Sequence, residues 1–337
     1  MARKETIRKG SKAPGKPKAR AKPTPRAKKA TKTPAQWALA AAIPGASRVL
    51  FTANGSAALI VREDKKTLTL YDLATGGETP PLKTLPTASA IALSADSRFI
   101  AMGTSTGILA VDSTQAGKIA WKTKATGEAI GQVLFSLDGA LVFAAAAFKA
   151  EGDAWLRVHQ TATGQEEMAF EPVPGARVCH LALSPEGLFL AHSEMRSNTV
   201  LVWHLPTRQM GTCLQLGKGD GPIVGLTFGN GVKHLYVAQD RRVTAFNAEN
   251  GLAFADMAVE GVTSLAVIDG GATVATLRQG PAGAALNLWH GESGRLRKTM
   301  ALPEGNYGPL AAPPGGAHLA LPGPKVCWIW NAQKLVN

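Results

Sequence analysis

Short apolar stretches interrupted by a polar or glycine-containing turn recur along the chain after residue 50. The seven copies are FTANGSAAL (51–59), LSADSRFIA (93–101), FSLDGALVF (135–143), LSPEGLFLA (183–191), FGNGVKHLY (228–236), VIDGGATVA (267–275) and APPGGAHLA (312–320). Their turn residues are Asn54, Asp96, Asp138, Glu186, Asn230, Asp269 and Gly315, so the pattern returns every 39 to 48 residues. Each turn predicts a hairpin between two short strands.

A third strand follows each hairpin and ends in a bulky residue and a polar one. These endings are LTLYD, ILAVD, LRVHQ, VLVWH, VTAFN, LNLWH and CWIWN. A turn and a fourth strand, such as KIAWKTK or RKTMALP, come next in most copies. Four short strands in a unit of about 43 residues are typical of one blade of a β-propeller.

Residues 36–337 therefore resemble the WD-repeat family, and the resemblance implies an all-β, seven-bladed propeller of four-stranded blades. The copies are degenerate, since only Tyr71-Asp72 approaches the family's Trp-Asp pair and the Gly-His pair is absent. Residues 184–203 also resemble the YVTN-type repeat, so the propeller subfamily stays open.

The last copy has only three strands before the sequence reaches Asn337. QWALAAAIPG (36–45) matches the fourth-strand ending MALPEG (300–305) in pattern. We expect this N-terminal segment to pair with the last blade and so remove the exposed sheet edges. This use of the segment is favoured over a signal peptide, whose basic region would be unusually long.

Charge divides the chain into two parts. Residues 1–35 contain 13 Lys and Arg and one acid, and residues 36–337 contain 24 basic and 23 acidic residues. The N-terminal part has no aromatic residue and a single Ile, so we expect a disordered tail of residues 1–35 followed by the propeller.

The tail resembles the Lys-, Ala- and Pro-rich tails of linker histones, which implies binding to nucleic acid through phosphate contacts. Its candidate residues are Arg3, Lys4, Arg8, Lys9, Lys12, Lys16, Lys18, Arg20, Lys22, Arg26, Lys28, Lys29 and Lys32. An anionic membrane surface, a nuclear-import signal, a ribosomal RNA contact, or a role in targeting or solubility remain alternatives.

Few residues are candidates for chemistry. GTSTG (103–107) has the spelling of a serine-hydrolase motif, but Ser105 is expected in a turn between two strands, where a nucleophile elbow requires a helix next. The three cysteines are widely spaced, and Cys179 and His180 are neighbours that point to opposite faces of a strand, so neither disulfides nor a metal site are expected. No cofactor motif is present. No apolar run approaches the ~20 residues of a membrane helix, and the expected location is cytoplasmic or nuclear.

Cations also recur in the predicted turns between second and third strands. The residues are Arg62, Arg196, Arg241, Arg242, Arg278 and Lys325, which the family geometry places around one mouth of the central channel. Acids alternate with them, so this rim is either a solvated surface of mixed charge or a binding site for an acidic protein segment.

The sequence therefore predicts a non-enzymatic, monomeric interaction scaffold that docks a protein on its rim and is tethered to nucleic acid or a ribonucleoprotein by its tail. A propeller hydrolase or lactonase with a site at the channel mouth is the alternative from another class, and a pure assembly scaffold is a third.

Overall fold

The protein is almost entirely β. The computed structural model describes residues 39–52, 54–62, 67–83, 85, 88–146, 156–170, 178–194, 198–229, 233–281 and 283–337. Antiparallel strands occupy these ranges from Leu39 to Asn331, and one helical segment of five residues, α1 (Ala332–Val336), follows the last strand.

Six four-stranded sheets, or blades, each use consecutive strands in chain order. Blades 1 to 3 contain β2 (Ala46–Phe51), β3 (Ala57–Arg62), β4 (Thr67–Asp72) and β5 (Leu82–Lys83); β6 (Ala88–Leu93), β7 (Phe99–Thr104), β8 (Ile108–Ser113) and β9 (Lys118–Lys124); and β10 (Ile130–Phe135), β11 (Leu141–Ala146), β12 (Leu156–Gln160) and β13 (Glu166–Phe170). Blades 4 to 6 contain β14 (Val178–Leu183), β15 (Phe189–Glu194), β16 (Thr199–His204) and β17 (Gln209–Gln215); β18 (Ile223–Phe228), β19 (His234–Gln239), β20 (Arg242–Asn247) and β21 (Ala253–Ala258); and β22 (Val262–Ile268), β23 (Thr273–Arg278), β24 (Ala285–His290) and β25 (Leu296–Ala301).

Hydrophobicity follows the position of a strand within its blade. Second strands such as β3 (AALIVR) and β11 (LVFAAA) are buried along nearly their whole length, because neighbouring blades cover both faces. Outer strands such as β9 (KIAWKTK) are mostly exposed. The near-continuous apolar runs of the sequence are therefore second strands.

A hydroxyl group organises the hairpin turn in blades 1 to 4. The backbone N–H five residues later donates to the hydroxyl oxygen of Thr52, Ser94, Ser136 or Ser184, at 2.9 to 3.1 Å. In blade 3 the Ser136 hydroxyl and the Ala140 N–H donate to Asp138, which lowers the pKa of that carboxyl. These bonds explain why a hydroxyl residue and an acid or Asn recur at fixed spacing in the copies.

The seventh blade is assembled from both ends of the sequence. Its strands are β26 (His318–Pro322), β27 (Val326–Asn331) and β1 (Leu39–Pro44), and β1 pairs antiparallel with β27. The expected closure by the N-terminal segment is confirmed. Residues 36–38 of that segment lie outside the described ranges.

The inner strand of blade 7 is shorter than the repeat pattern predicts. It consists of one bridge, in which Ala311 and Ala320 exchange both backbone hydrogen bonds, at 2.8 and 3.1 Å. Pro309, Pro313 and Pro314 flank this bridge, and proline has no N–H to donate to a ladder. Regular pairing therefore cannot extend in either direction.

Buried hydrophobic side chains form one cluster at each junction between neighbouring blades. At the junction of blades 7 and 1, Ile43 and Ile329 pack with Val49 and Ile60. Since this junction is filled like the other six, the sheets form a closed ring.

Candidate functional site

The two faces of the ring carry different connections. In blade 1 the first residue of the inner strand, Ala46, pairs with the last residue of the second strand, Arg62, and in blade 6 Val262 pairs with Arg278 in the same way. Links between blades and turns between second and third strands therefore share one face, the link face. The hydroxyl turns occupy the opposite face, the hairpin face.

Part of the predicted site falls outside the described residues. This applies to Arg196 and to all thirteen tail cations between Arg3 and Lys32. Arg62, Arg241, Arg242, Arg278 and Lys325 are described, and all five belong to the link face.

Arg62 is occupied by contacts within the ring. One guanidinium nitrogen donates to the backbone oxygen of Pro44 at 2.8 Å, and another lies 2.5 Å from the Glu78 carboxylate. Pro44 is the last residue of β1, so Arg62 ties the closing strand to blade 1. It is poorly placed to bind a partner.

Arg242 is also shared between internal partners. Its guanidinium lies 3.3 Å from Asp220 and 3.6 Å from Asp256. Asp220 precedes blade 5 and Asp256 lies on its outer strand, so the two carboxylates compensate this cation locally.

Three of the predicted cations remain open, and we call Arg241, Arg278 and Lys325 the rim cations. Arg241 is 62% exposed at the side chain and makes one long ion pair, 3.9 Å from the Asp240 carboxylate and beyond hydrogen-bond distance. Arg278 and Lys325 have no ion pair or side-chain hydrogen bond with any described residue. The three belong to blades 5, 6 and 7, which are consecutive in the ring.

Ser105 lies in the exposed turn between β7 and β8, and the element that follows is a strand, as the sequence predicts. Both glycines of GTSTG have packing reasons. A side chain at Gly103 would collide with Ile130 of blade 3, and Gly107 has φ +80 beside the Thr126 carbonyl oxygen. The two glycines that give GTSTG its resemblance to a hydrolase motif are thus explained by the turn and by packing between blades 2 and 3.

The histidines at the polar end of the third strands stabilise turns. The His204 Nδ1 atom is 2.9 Å from the Thr207 hydroxyl, and the Ser293 N–H donates to Nδ1 of His290 at 3.3 Å. His180, beside Cys179, bonds to the backbone of Ile223, and burial lowers its pKa. Over the described residues, no group of three or more His, Cys, Asp and Glu is arranged to hold a metal ion.

A channel of about 440 Å³ runs between the inner strands. Its lining comes from β2, β6, β10, β14, β18 and β22 and from the proline-flanked segment of blade 7. Among the described residues of that lining, Arg48 alone is charged, and the sequence analysis did not single it out. A comparison of the inner strands at equal register could have identified Arg48. The equivalent position holds Ala90, Gln132, His180 and Ser264 in blades 2, 3, 4 and 6.

Known structures share this architecture. The β-propeller domain of Cps50 (Swd1) from Myceliophteria thermophila superposes with a TM-score of 0.70 over 85% of this chain and 97% of that domain, at 17% sequence identity. The chain is a seven-bladed β-propeller. The expected resemblance to WD-repeat propellers is confirmed at the level of the fold. No protein-family model and no curated protein matches the sequence.

Helical structure in the propeller is limited to short segments. In the part of the chain that the structure describes, no helix has the length and apolar character to cross a bilayer.

Proposed function

We propose that this propeller is a non-enzymatic scaffold that docks an acidic segment of a protein partner on its rim cations. The observation that carries the proposal is that Arg241, Arg278 and Lys325 remain open on three consecutive blades, while Arg62 and Arg242 are compensated within the ring. Arginine donates two parallel hydrogen bonds to a carboxylate, and lysine contributes a point charge.

Charge removal at the rim tests the docking. The probe is a fluorescent glutamate-rich peptide, and its anisotropy is measured with the full chain at low salt. The variant Arg241→Gln/Arg278→Gln/Lys325→Gln should weaken peptide binding at least tenfold, because a hydrogen bond to a charged group contributes about 1.5–3 kcal/mol.

A matched control removes the same charge elsewhere. Lys118, Lys122 and Lys124 are exposed on β9, the outer strand of blade 2. Their triple Gln variant has the same net charge and should bind the peptide like the wild type. Equal weakening by both variants would show only nonspecific attraction and would contradict docking at the rim.

We further propose that the basic tail tethers the scaffold to nucleic acid or to a ribonucleoprotein. The support is the charge division, with 13 cations and one acid in residues 1–35 beside an almost neutral remainder. If the tail contacts ~6–10 phosphates, affinity should fall ~10³- to 10⁵-fold between 50 and 200 mM salt.

Removal of residues 1–35 tests the tether separately from the rim. The shortened chain still contains β1, which begins at Leu39. It should lose binding to duplex DNA and RNA probes while it keeps peptide binding and its melting temperature. Unchanged binding to both nucleic acids would refute the tether and leave the docking proposal intact.

A further inference from the structure

The wall of the central channel exposes both polar groups and apolar side chains. Leu50, Leu93, Leu134, Leu183 and Phe228 line it on the hairpin-face side of the inner strands. Its volume of about 440 Å³ lies within the range of small-molecule sites, ~300–1,000 Å³. A ligand with an apolar body would find complementary side chains in this part of the wall.

Arg48 places an uncompensated positive charge in this channel. The lining includes no Asp or Glu among the described residues, and Arg48 has no side-chain hydrogen bond or ion pair with any of them. Burial lowers the pKa of Arg48 from its usual value, but an arginine stays protonated in proteins. A half-buried cation without a counter-charge is unfavourable unless something else compensates it.

In blades 3, 4 and 6 the equivalent residue has a structural use that Arg48 lacks. Gln132 donates to the backbone oxygen of Cys179 in the next blade at 3.3 Å, and His180 bonds to the backbone of Ile223. In blade 6 the Ser264 hydroxyl accepts from the Leu310 N–H at 3.0 Å. These side chains connect neighbouring blades, whereas Arg48 makes no such bond to blade 2. Stability of the ring therefore does not explain the arginine.

We propose that the channel binds a small organic monocarboxylate, with the carboxylate on the Arg48 guanidinium and the apolar body against the leucine and phenylalanine walls. The planar guanidinium can donate two parallel hydrogen bonds to the two carboxylate oxygens. One guanidinium matches one negative charge. A phosphate monoester carries about −1.5 to −2 and would remain undercompensated among these walls.

Titration calorimetry of the full chain with octanoate tests the site. The wild type should bind octanoate saturably and at least tenfold more tightly than the neutral analogue 1-octanol. Arg48→Gln should lower octanoate affinity at least tenfold and make the two ligands equivalent. Arg48→Lys keeps the charge but loses the planar pair of donors, so its affinity should be intermediate.

Arg295→Gln serves as the matched control. Arg295 is exposed in the turn before β25, is not part of the channel lining, and has no ion pair or side-chain hydrogen bond with a described residue. This variant loses the same charge and should bind octanoate like the wild type. A parallel loss in both variants would indicate a general charge effect and overturn the site.

Three further outcomes would contradict the proposal. One is the absence of saturable octanoate binding by the wild type at millimolar concentrations. Another is tighter binding of octyl phosphate than of octanoate, which would overturn the monocarboxylate assignment. The third is a melting temperature of Arg48→Gln below that of the wild type, because removal of an uncompensated, half-buried charge should leave the ring at least as stable.

Discussion

Blades 4 and 7 show two ways of building the same sheet. In blade 4 all four strands follow one another between Val178 and Gln215, and short turns hold them together. In blade 7 the outer strand β1 pairs with β27 across an intervening chain that runs from residue 44 to residue 326, and the inner strand is reduced to the Ala311 bridge. Local turns stabilise blade 4, and long-range packing stabilises blade 7.

The difference concerns where stability resides. Closing a loop of this length costs entropy that only tertiary contacts can offset, although that cost grows slowly with length. Blade 7 therefore depends on Ile43 and its neighbours at the junction with blade 1, and on Arg62. Four mutational tests distinguish stabilisation by local turns from stabilisation by long-range packing, and they follow in order of decreasing expected effect.

The largest effect is expected from Ile43→Ala. Ile43 is 1% exposed at the closing junction, and loss of such a side chain costs about 2–5 kcal/mol of the free energy of unfolding. Hydrogen exchange should show the loss of protection first in β1 and β27. Ala42→Ser, at the exposed neighbouring position on β1, should change stability by less than about 0.5 kcal/mol. Loss of protection spread evenly over all blades would contradict the dependence of closure on β1.

Acid should act on blade 4 through His192. This residue is fully buried on β15 and stacks with Trp203 at 6.4 Å between ring centroids. Burial lowers the pKa of His192 to about 3, so below pH 6.5 the unfolded chain binds a proton that the folded chain does not. The wild type should lose up to about 1.4 kcal/mol of stability per pH unit between pH 6.5 and 3 from this group.

His192→Leu removes that titration, whatever its effect on stability at neutral pH. Other blades carry Ile60 and Met102 at the same register position. Urea denaturation between pH 7 and pH 4 should therefore show a flatter dependence for this variant than for the wild type. Equal slopes in the variant and the wild type would refute the assignment.

Ser184→Ala tests the hydroxyl turn, which blade 7 lacks among its described residues. Ser184 is 1% exposed, and its hydroxyl accepts from the Phe189 N–H at 2.9 Å. The variant leaves a buried donor unpaired and should lower the free energy of unfolding by about 1–3 kcal/mol, measured by chemical denaturation. Ser105→Ala, in an exposed turn, should be neutral, and a larger effect there than at Ser184 would contradict the role of the hydroxyl turn.

The smallest effect is expected from Arg62→Gln. Arg62 is 24% exposed at the side chain and bonds the closing strand at Pro44, so its loss should cost about 0.5–1.5 kcal/mol. Arg98 is 63% exposed and paired with Asp96, and Arg98→Gln should cost less than about 1 kcal/mol. Chemical denaturation at low and high salt would compare the free energies of unfolding of the two variants. An equal or greater cost at Arg98 would show that the Arg62 contact adds nothing to closure.

The repeat pattern predicts most of the ring correctly because its signals are local. The third-strand endings, the hairpin turns and the pairing of residues 39–44 with the last blade agree with the structure. The shortened inner strand of blade 7 and helix α1 were not predicted. Prolines at 309, 313 and 314 are the sequence signal for the short strand, and the repeat pattern by itself does not show it. The site was less predictable, since the six cations predicted in the turns between second and third strands look alike in sequence.

By itself, the sequence determined the number of blades, the strand order and the division between the basic tail and the near-neutral remainder, because periodicity, turn chemistry and charge are properties of neighbouring residues. Tertiary structure alone decided which charges are open. Arg62 meets Pro44 and Glu78, and Arg242 meets Asp220 and Asp256, only once the strands are assembled. Arg48 became isolated in the channel for the same reason. The compensation of a charge depends on neighbours brought close by folding, and such neighbours are not adjacent along the chain.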